Sequence, residues 1–187
     1  MNPFDDPTAA TLGDRYGRRA IVGSRGEQRT AELLAAAYDN DDTTVVVHNL
    51  AIPGWDRANI DHVAIRSSTL VALDTKNWSP GRYWTLRSTR RGIHPFPPAD
   101  KIRLADQCAA LAAVVRPERA APLVVLWPSK PGYLRTRRPL ASLRLPAGVP
   151  HCHGADLVAV LEPLLGVACA PPNPDLVAAV LRFRKRR

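Results

Sequence analysis

The chain has 187 residues, a formal net charge of +9 and a pI near 10.2, which suits one compact α/β domain rather than two large ones. So basic a chain points to a polyanion, nucleic acid before anionic lipid, although a solvated basic surface would give the same composition. Cys108, Cys152 and Cys169 are odd in number, far apart and without a CxxC pair, which excludes a disulfide framework or a cysteine-rich zinc site and suits a reducing cytoplasm.

In chain order, residues 1–16 are polar and carry Pro and Gly without a sustained period, so a flexible N-terminal arm is expected. They lack the basic-then-apolar order of a signal peptide. The first helix is read in "SRGEQRTAELLAAAYDN", where Ala31, Leu34 and Tyr38 recur at helical spacing and the helix should end near Asp39 or Asn40. "TTVVVHNLAI" is a β-branched strand closed by Pro53-Gly54, and "NIDHVAI" and "LVALDTKNW" form a hairpin around "RSST". A short strand near Tyr83-Trp84 and a basic, proline-punctuated loop come next. "ADKIRLADQCAALAAVV" is a second helix, "APLVVLW" a strand, "GVPHCH" a short strand, "ADLVAVLEPLL" a helix, and "PDLVAAVLRFRKRR" a terminal helix with a basic end. The order α-β-β-β-α-β-β-α-α predicts one mixed β-sheet flanked by helices. The longest apolar stretch, "LVAVLEPLLGVACA", is too short for a bilayer and contains Glu162 and Pro163, so no membrane partner is expected.

The hairpin brings charges together. With "RSST" as the loop, Ile65 pairs with Leu70, Val63 with Ala72, and therefore Asp61 with Asp74. Opposed residues in an antiparallel pair have Cβ atoms roughly 4.5–5.5 Å apart, so two carboxylates there repel unless a cation compensates. Mg²⁺ or Mn²⁺ suits such hard oxygen ligands. Lys76, two residues beyond Asp74, falls on the same face by alternation. Two acids, a metal and a base are what phosphodiester hydrolysis needs: the metal polarises the phosphoryl oxygen and activates water, and the base orients the nucleophile or meets developing charge. The competing reading is an Asp-Lys pair on an exposed edge, which the apolar run "LVAL" ahead of it disfavours.

"GSRGE", "NIDHVAI" and "LVALDTKNW", in this order and spacing, resemble the nuclease-related domain (NERD) family, a branch of the PD-(D/E)xK nuclease superfamily. Gly26-Glu27, Ile60-Asp61-His62 and Asp74-Thr75-Lys76-Asn77-Trp78 match the family's pattern, over residues 22 to about 130. The resemblance implies a restriction-endonuclease-like core; beyond Trp127 the sequence pattern alone extends the expected nuclease domain over residues 17–170, with 171–187 as a basic C-terminal helix or tail. It implies that Asp61 and Asp74 ligate metal and that Lys76 serves the nucleophile or leaving phosphate, with Glu27 completing the site from the first helix. Glu27 also reads as the far end of a Ser24-x-x-Glu27 capping box, against which stands its place on the stripe of Ala31, Leu34 and Tyr38. Gln107 lies between Leu104 and Leu111 at helical spacing; the family resemblance brings its amide toward the site, while a buried amide bonded to backbone is the rival account.

Other motifs carry less. His151 and His153 lack a third ligand at zinc spacing, His62 alternates to the face opposite Asp61, and Trp78 is expected to cover the core beside Lys76. Among the arginine clusters (Arg18-Arg19, Arg87 to Arg91, Arg135 to Arg138 and Arg182 to Arg187), Arg87, Arg90 and Arg91 follow the site strand and are the expected phosphate-backbone contacts. The expected function is Mg²⁺- or Mn²⁺-dependent cleavage of nucleic acid, DNA in preference to RNA. The alternatives are a catalytically silent nucleic-acid-binding module of the same fold, or a nuclease active only with a partner protein; a homodimer or a protein partner is left open.

Overall fold

A computed structural model of the protein describes residues 18–136 and 142–185; the expected N-terminal arm, Arg137, Arg138 and Arg186-Arg187 lie outside the described residues. Helix α1 spans Arg18–Tyr38. Strand β1 is Thr44–Ile52, β2 Trp55–Arg66 and β3 Thr69–Trp78. Three short strands follow, β4 Gly81–Thr85, β5 Thr89–Arg91 and β6 His94–Pro95. The chain continues through α2 Pro97–Asp100, α3 Leu104–Val115, β7 Arg119–Pro128, β8 Leu134–Arg135, β9 His151–His153, α4 Leu157–Leu165 and α5 Pro174–Leu181. No described helix is long and apolar enough to cross a membrane.

The main sheet has five strands in the order β1-β2-β3-β7-β9, antiparallel between β1, β2 and β3 and parallel from β3 through β7 to β9. It is mixed and helix-flanked, as the sequence predicts. A second sheet, β6-β5-β4-β8, is an addition: the segment after β3 folds into a meander where a single strand and a loop are expected. Strands of two to five residues interrupted by Pro and Gly carry too little alternation to be read from sequence.

The β2–β3 loop tightens to Ser67-Ser68, with Arg66 opposite Thr69, and the expected pairs Ile65↔Leu70 and Val63↔Ala72 are present. Alternation along β3 then sorts the two faces. Val71 and Leu73 meet Leu34 and Tyr38 of α1 and Leu157, Leu161 and Leu165 of α4. Leu70, Ala72 and Trp78 meet Leu104, Cys108, Leu111 and Val115 of α3 and Leu176 and Val180 of α5. The burial of these large aliphatic side chains, at roughly 1.5–3 kcal/mol each, is the main stabilising term. The basic end of the chain is a further correction. Helix α5 stops at Leu181, and after a turn at Arg182-Phe183 the chain meets β1: Ala51 N–H bonds to Phe183 O, Lys185 N–H bonds to Asn49 O, and Leu50 bridges to Arg184. This bridge to a free strand edge satisfies backbone groups that another helical turn would have left at the surface.

At the end of β2 away from Asp61 sits a buried guanidinium. Arg66 grips Glu162 through Nη1 (2.7 Å) and Nη2 (3.0 Å), donates Nε–H to Thr44 Oγ1 and lies 3.5 Å from Asp41. Tyr38 Oη–H donates to the same Glu162 at 2.8 Å. The Arg66 hydrogen bonds hold the Glu162 carboxyl below its ordinary range, and the Thr43 hydroxyl and amide do the same for Asp41. A depressed carboxyl contributes stability that is fully present above the unfolded pKa, about 4, and lost as pH falls through the folded value. Glu162→Gln should therefore cost about 1 kcal/mol in urea unfolding at pH 7, near the low end for a buried pair because Glu162 is 43% exposed. The difference from wild type should shrink as pH falls below about 4; a cost that stays constant there would assign it to packing.

Candidate active site

The site lies where β2 and β3 part. Their ladder ends at His62↔Leu73, one residue short of the expected Asp61–Asp74 pair. Asp61 Oδ2 instead accepts the backbone N–H of Thr75 at 2.7 Å, so a side-chain oxygen serves the amide that the ladder has left. On the other side of β2, β1 keeps its register past this point, from His48↔His62 to Leu50↔Ile60, but Asn49 between them takes a left-handed φ of 58°. Asn tolerates that region better than most residues, and such strain concentrates at functional sites.

Asp74 is buried, with only 12% of its side chain exposed, and both its oxygens lie 2.7 Å from Lys76 Nζ. Burial would lower the lysine's proton affinity, but the adjoining Asp74, with Asp61 and Glu27 behind it, outweighs burial and raises it. Lys76 is thus a fixed cation at neutral pH, unsuited to general-base work and suited to holding phosphoryl oxygens. Asp61 is raised as well, which for an acid disfavours the charged form. Burial, then Asp74, then Glu27 raise its carboxyl well above the usual range, against the Thr75 amide and Lys76. A half-buried acid destabilised by two neighbouring acids is a place for a cation.

Helix α1 delivers Glu27 by close packing. Gly26 is buried and has no room for a Cβ against the Asn77 side chain. One turn later, Thr30 Oγ1 accepts from Trp127 Nε1–H at 2.9 Å and from Thr75 Oγ1–H at 3.1 Å, pinning the helix to β7 and β3. The buried stripe runs through Gly26, Thr30, Leu34 and Tyr38, with Glu27 on its exposed flank. Because α1 is already helical at Arg18, Ser24 cannot be an N-cap, which removes the capping-box account of Glu27. Gln107 is half-buried beside the stripe of α3, one residue before Cys108, which hydrogen-bonds the backbone of Ala72 two residues ahead of Asp74.

The expected phosphate contacts divide. Arg87 is exposed in the β4–β5 turn, whereas Arg90 donates to Ile93 O and lies over the Trp84 ring, and Arg91 donates to Pro80 O. The latter two therefore spend donors on holding the meander. Trp78 is 5% exposed and stacks with Tyr83 and Phe96 at centroid distances of 4.9 and 5.0 Å, closing the core beside Lys76 as expected. Sequence reasoning did not single out Thr30, Thr75 or Trp127; a threonine in an otherwise aliphatic helical stripe was the available signal.

Among the described residues no three His, Cys, Asp or Glu side chains are arranged to hold a metal ion by themselves. Mg²⁺ does not need such a cage, since it keeps several waters and takes one or two carboxylates together with substrate phosphate. The mutual repulsion felt at Asp61 fits that donor chemistry.

A mixed sheet between helices, with two acids and a lysine at the mouth of a hairpin, is a nuclease-like core. The chain belongs to the nuclease-related domain family, whose model matches residues 22–126, in keeping with the PD-(D/E)xK superfamily. No curated protein and no solved structure matches it significantly.

The raised proton affinity of Asp61 has a measurable consequence. A carboxyl of this kind costs stability as pH rises through its folded pKa, so Asp61→Asn, which can still accept from Thr75, should raise the melting temperature of the metal-free protein at pH 8 by about 2–4 °C. The gain should shrink toward pH 4. A lower melting temperature at pH 8 would show that the carboxylates do not repel.

Proposed function

We propose that this nuclease-related protein is a metal-dependent nuclease that hydrolyses phosphodiester bonds in DNA. The observation that carries the reading is the opposition of Asp61 to Asp74 beside a permanently charged Lys76. Asp61 and Asp74, with Glu27 on the flank, would hold Mg²⁺ or Mn²⁺, and the metal would supply Lewis-acid polarisation and a lowered water pKa. Asp74 holds Lys76 until a phosphate arrives, and Lys76 then meets the charge that develops on the phosphoryl oxygens. The Thr75 amide fixes the rotamer of Asp61, so the acid is oriented before substrate binds. Gln107 would orient water or a phosphoryl oxygen from α3, and Arg87 would meet the phosphate backbone with Arg90 and Arg91 behind it. Contacts of this kind read backbone charge, which supports broad sequence tolerance.

Incubation with linear, circular and single-stranded DNA in Mg²⁺, Mn²⁺ or EDTA tests this. Wild type should cleave only with metal, and Asp74→Asn and Lys76→Ala should each lower the rate at least 100-fold with folding intact. Intact DNA under every condition, with DNA binding unaffected by EDTA, would instead make the protein a binding module.

A further inference from the structure

A cavity of about 630 Å³ opens beside β9, at the edge of the main sheet. Its polar wall is formed by Arg135, Thr136, Ser142, His151 and His153, and Asp156 is the one acid that shares the lining. Three observations relate it to the site.

The first is register. Asp74 pairs with Val124 and Val124 with His151; Lys76 pairs with Leu126 and Leu126 with His153. Residues paired across neighbouring strands project to the same face, so the two histidines stand in the same rows, and on the same side of the sheet, as the acid and the base. Two strand spacings separate them, roughly 10 Å. The second is position along the strands: His153 closes β9, and β3, β7 and β9 are parallel, so the cavity and Lys76 both lie toward the carboxyl ends, where open α/β sheets bind their ligands. The third is donor chemistry. Arg135 is exposed, and its guanidinium lies 4.6 Å from the centroid of the Tyr133 ring. A guanidinium supported on an aromatic face keeps its fork of N–H donors for an oxyanion. Thr136, 5% exposed, contacts His153 Nε2 through its hydroxyl at 3.5 Å and so fixes the ring at the cavity wall.

We propose that this cavity is a second phosphate subsite, in which Arg135, His151 and His153, with the Thr136 and Ser142 hydroxyls, hold a phosphodiester flanking the one cleaved at Asp61, Asp74 and Lys76. The proposal rests on the nuclease reading and deepens it: the substrate must continue past the scissile bond toward β9, so the protein grips a polynucleotide rather than a terminal nucleotide alone.

The test measures binding of a fluorescent 20-nucleotide DNA to the whole protein by anisotropy, in EDTA so that nothing is cut, across a range of salt. Arg135→Ala should weaken binding about tenfold and lower the slope of log affinity against log salt by about one. His153→Gln should weaken binding without changing the slope. Arg119→Ala, which removes the same charge at the opposite end of β7, should change neither quantity, and circular dichroism melts check that each variant is folded. Should Arg135→Ala misfold, Arg135→Gln, which keeps most of the side chain, reads the same slope. Unchanged affinity and slope in the folded Arg135 variant overturn the subsite even where wild type cleaves DNA. Loss of the slope in a protein that never cleaves keeps the subsite and overturns only the catalytic reading. A wild type that does not bind DNA overturns both.

Discussion

Two carboxylates on adjacent strands repel, and the site is organised around that repulsion. Asp74 is answered within its own strand by Lys76, the shortest route to neutralising a buried acid on a β-strand, since residues two apart share a face. Asp61 has no such neighbour. It leans on a single backbone amide and keeps a raised affinity for protons. The ladder between β2 and β3 stops where these acids begin, so the repelling charges sit where the strands are no longer paired. Stability is given up at these acids, as is common where an unfavourable arrangement is kept.

The other end of the hairpin offsets this. Arg66, Glu162, Tyr38 and Asp41 tie β2 to α1 and α4 with hydrogen bonds among groups of opposite charge, and Thr30 fastens the middle of α1 to β3 and β7. Helix α1 is thus anchored along its length on one face of the sheet, which is what allows Glu27, itself exposed, to be held near Asp61. The glycine and threonine on either side of it seat the helix against Asn77, Thr75 and Trp127.

How much of this could be read in the sequence followed from periodicity. The pairing of Ile65 with Leu70 and of Val63 with Ala72 was legible because two long apolar runs flank a short turn, and the convergence of Asp61, Asp74 and Lys76 follows from that register. The start of α1 was not legible: Ser24 and Glu27 mimic a cap, and only the continuous helix back to Arg18 shows otherwise. The meander of β4 to β6 escaped notice because its strands are shorter than the window in which alternation can be detected. The terminal basic residues look helical by propensity, yet after a turn at Arg182-Phe183 the chain bridges to β1 at Arg184, an outcome decided by a free strand edge that no local pattern announces. The sheet rows that align His151 and His153 with Asp74 and Lys76 depend on two parallel pairings between distant segments, so the HCH motif could not be placed before the fold was known.

The segment that bridges to β1 also bears on self-association. A long outer strand with unpaired N–H and C=O groups is a template onto which another chain can add, the usual route to edge-to-edge aggregation. Here Phe183 and Lys185 occupy the N–H of Ala51 and the carbonyl of Asn49, and β9, on the opposite side of the sheet, offers only three residues. Phe183 to Lys185 thus cover part of that edge, and they do so beside Asn49, the left-handed residue of β1.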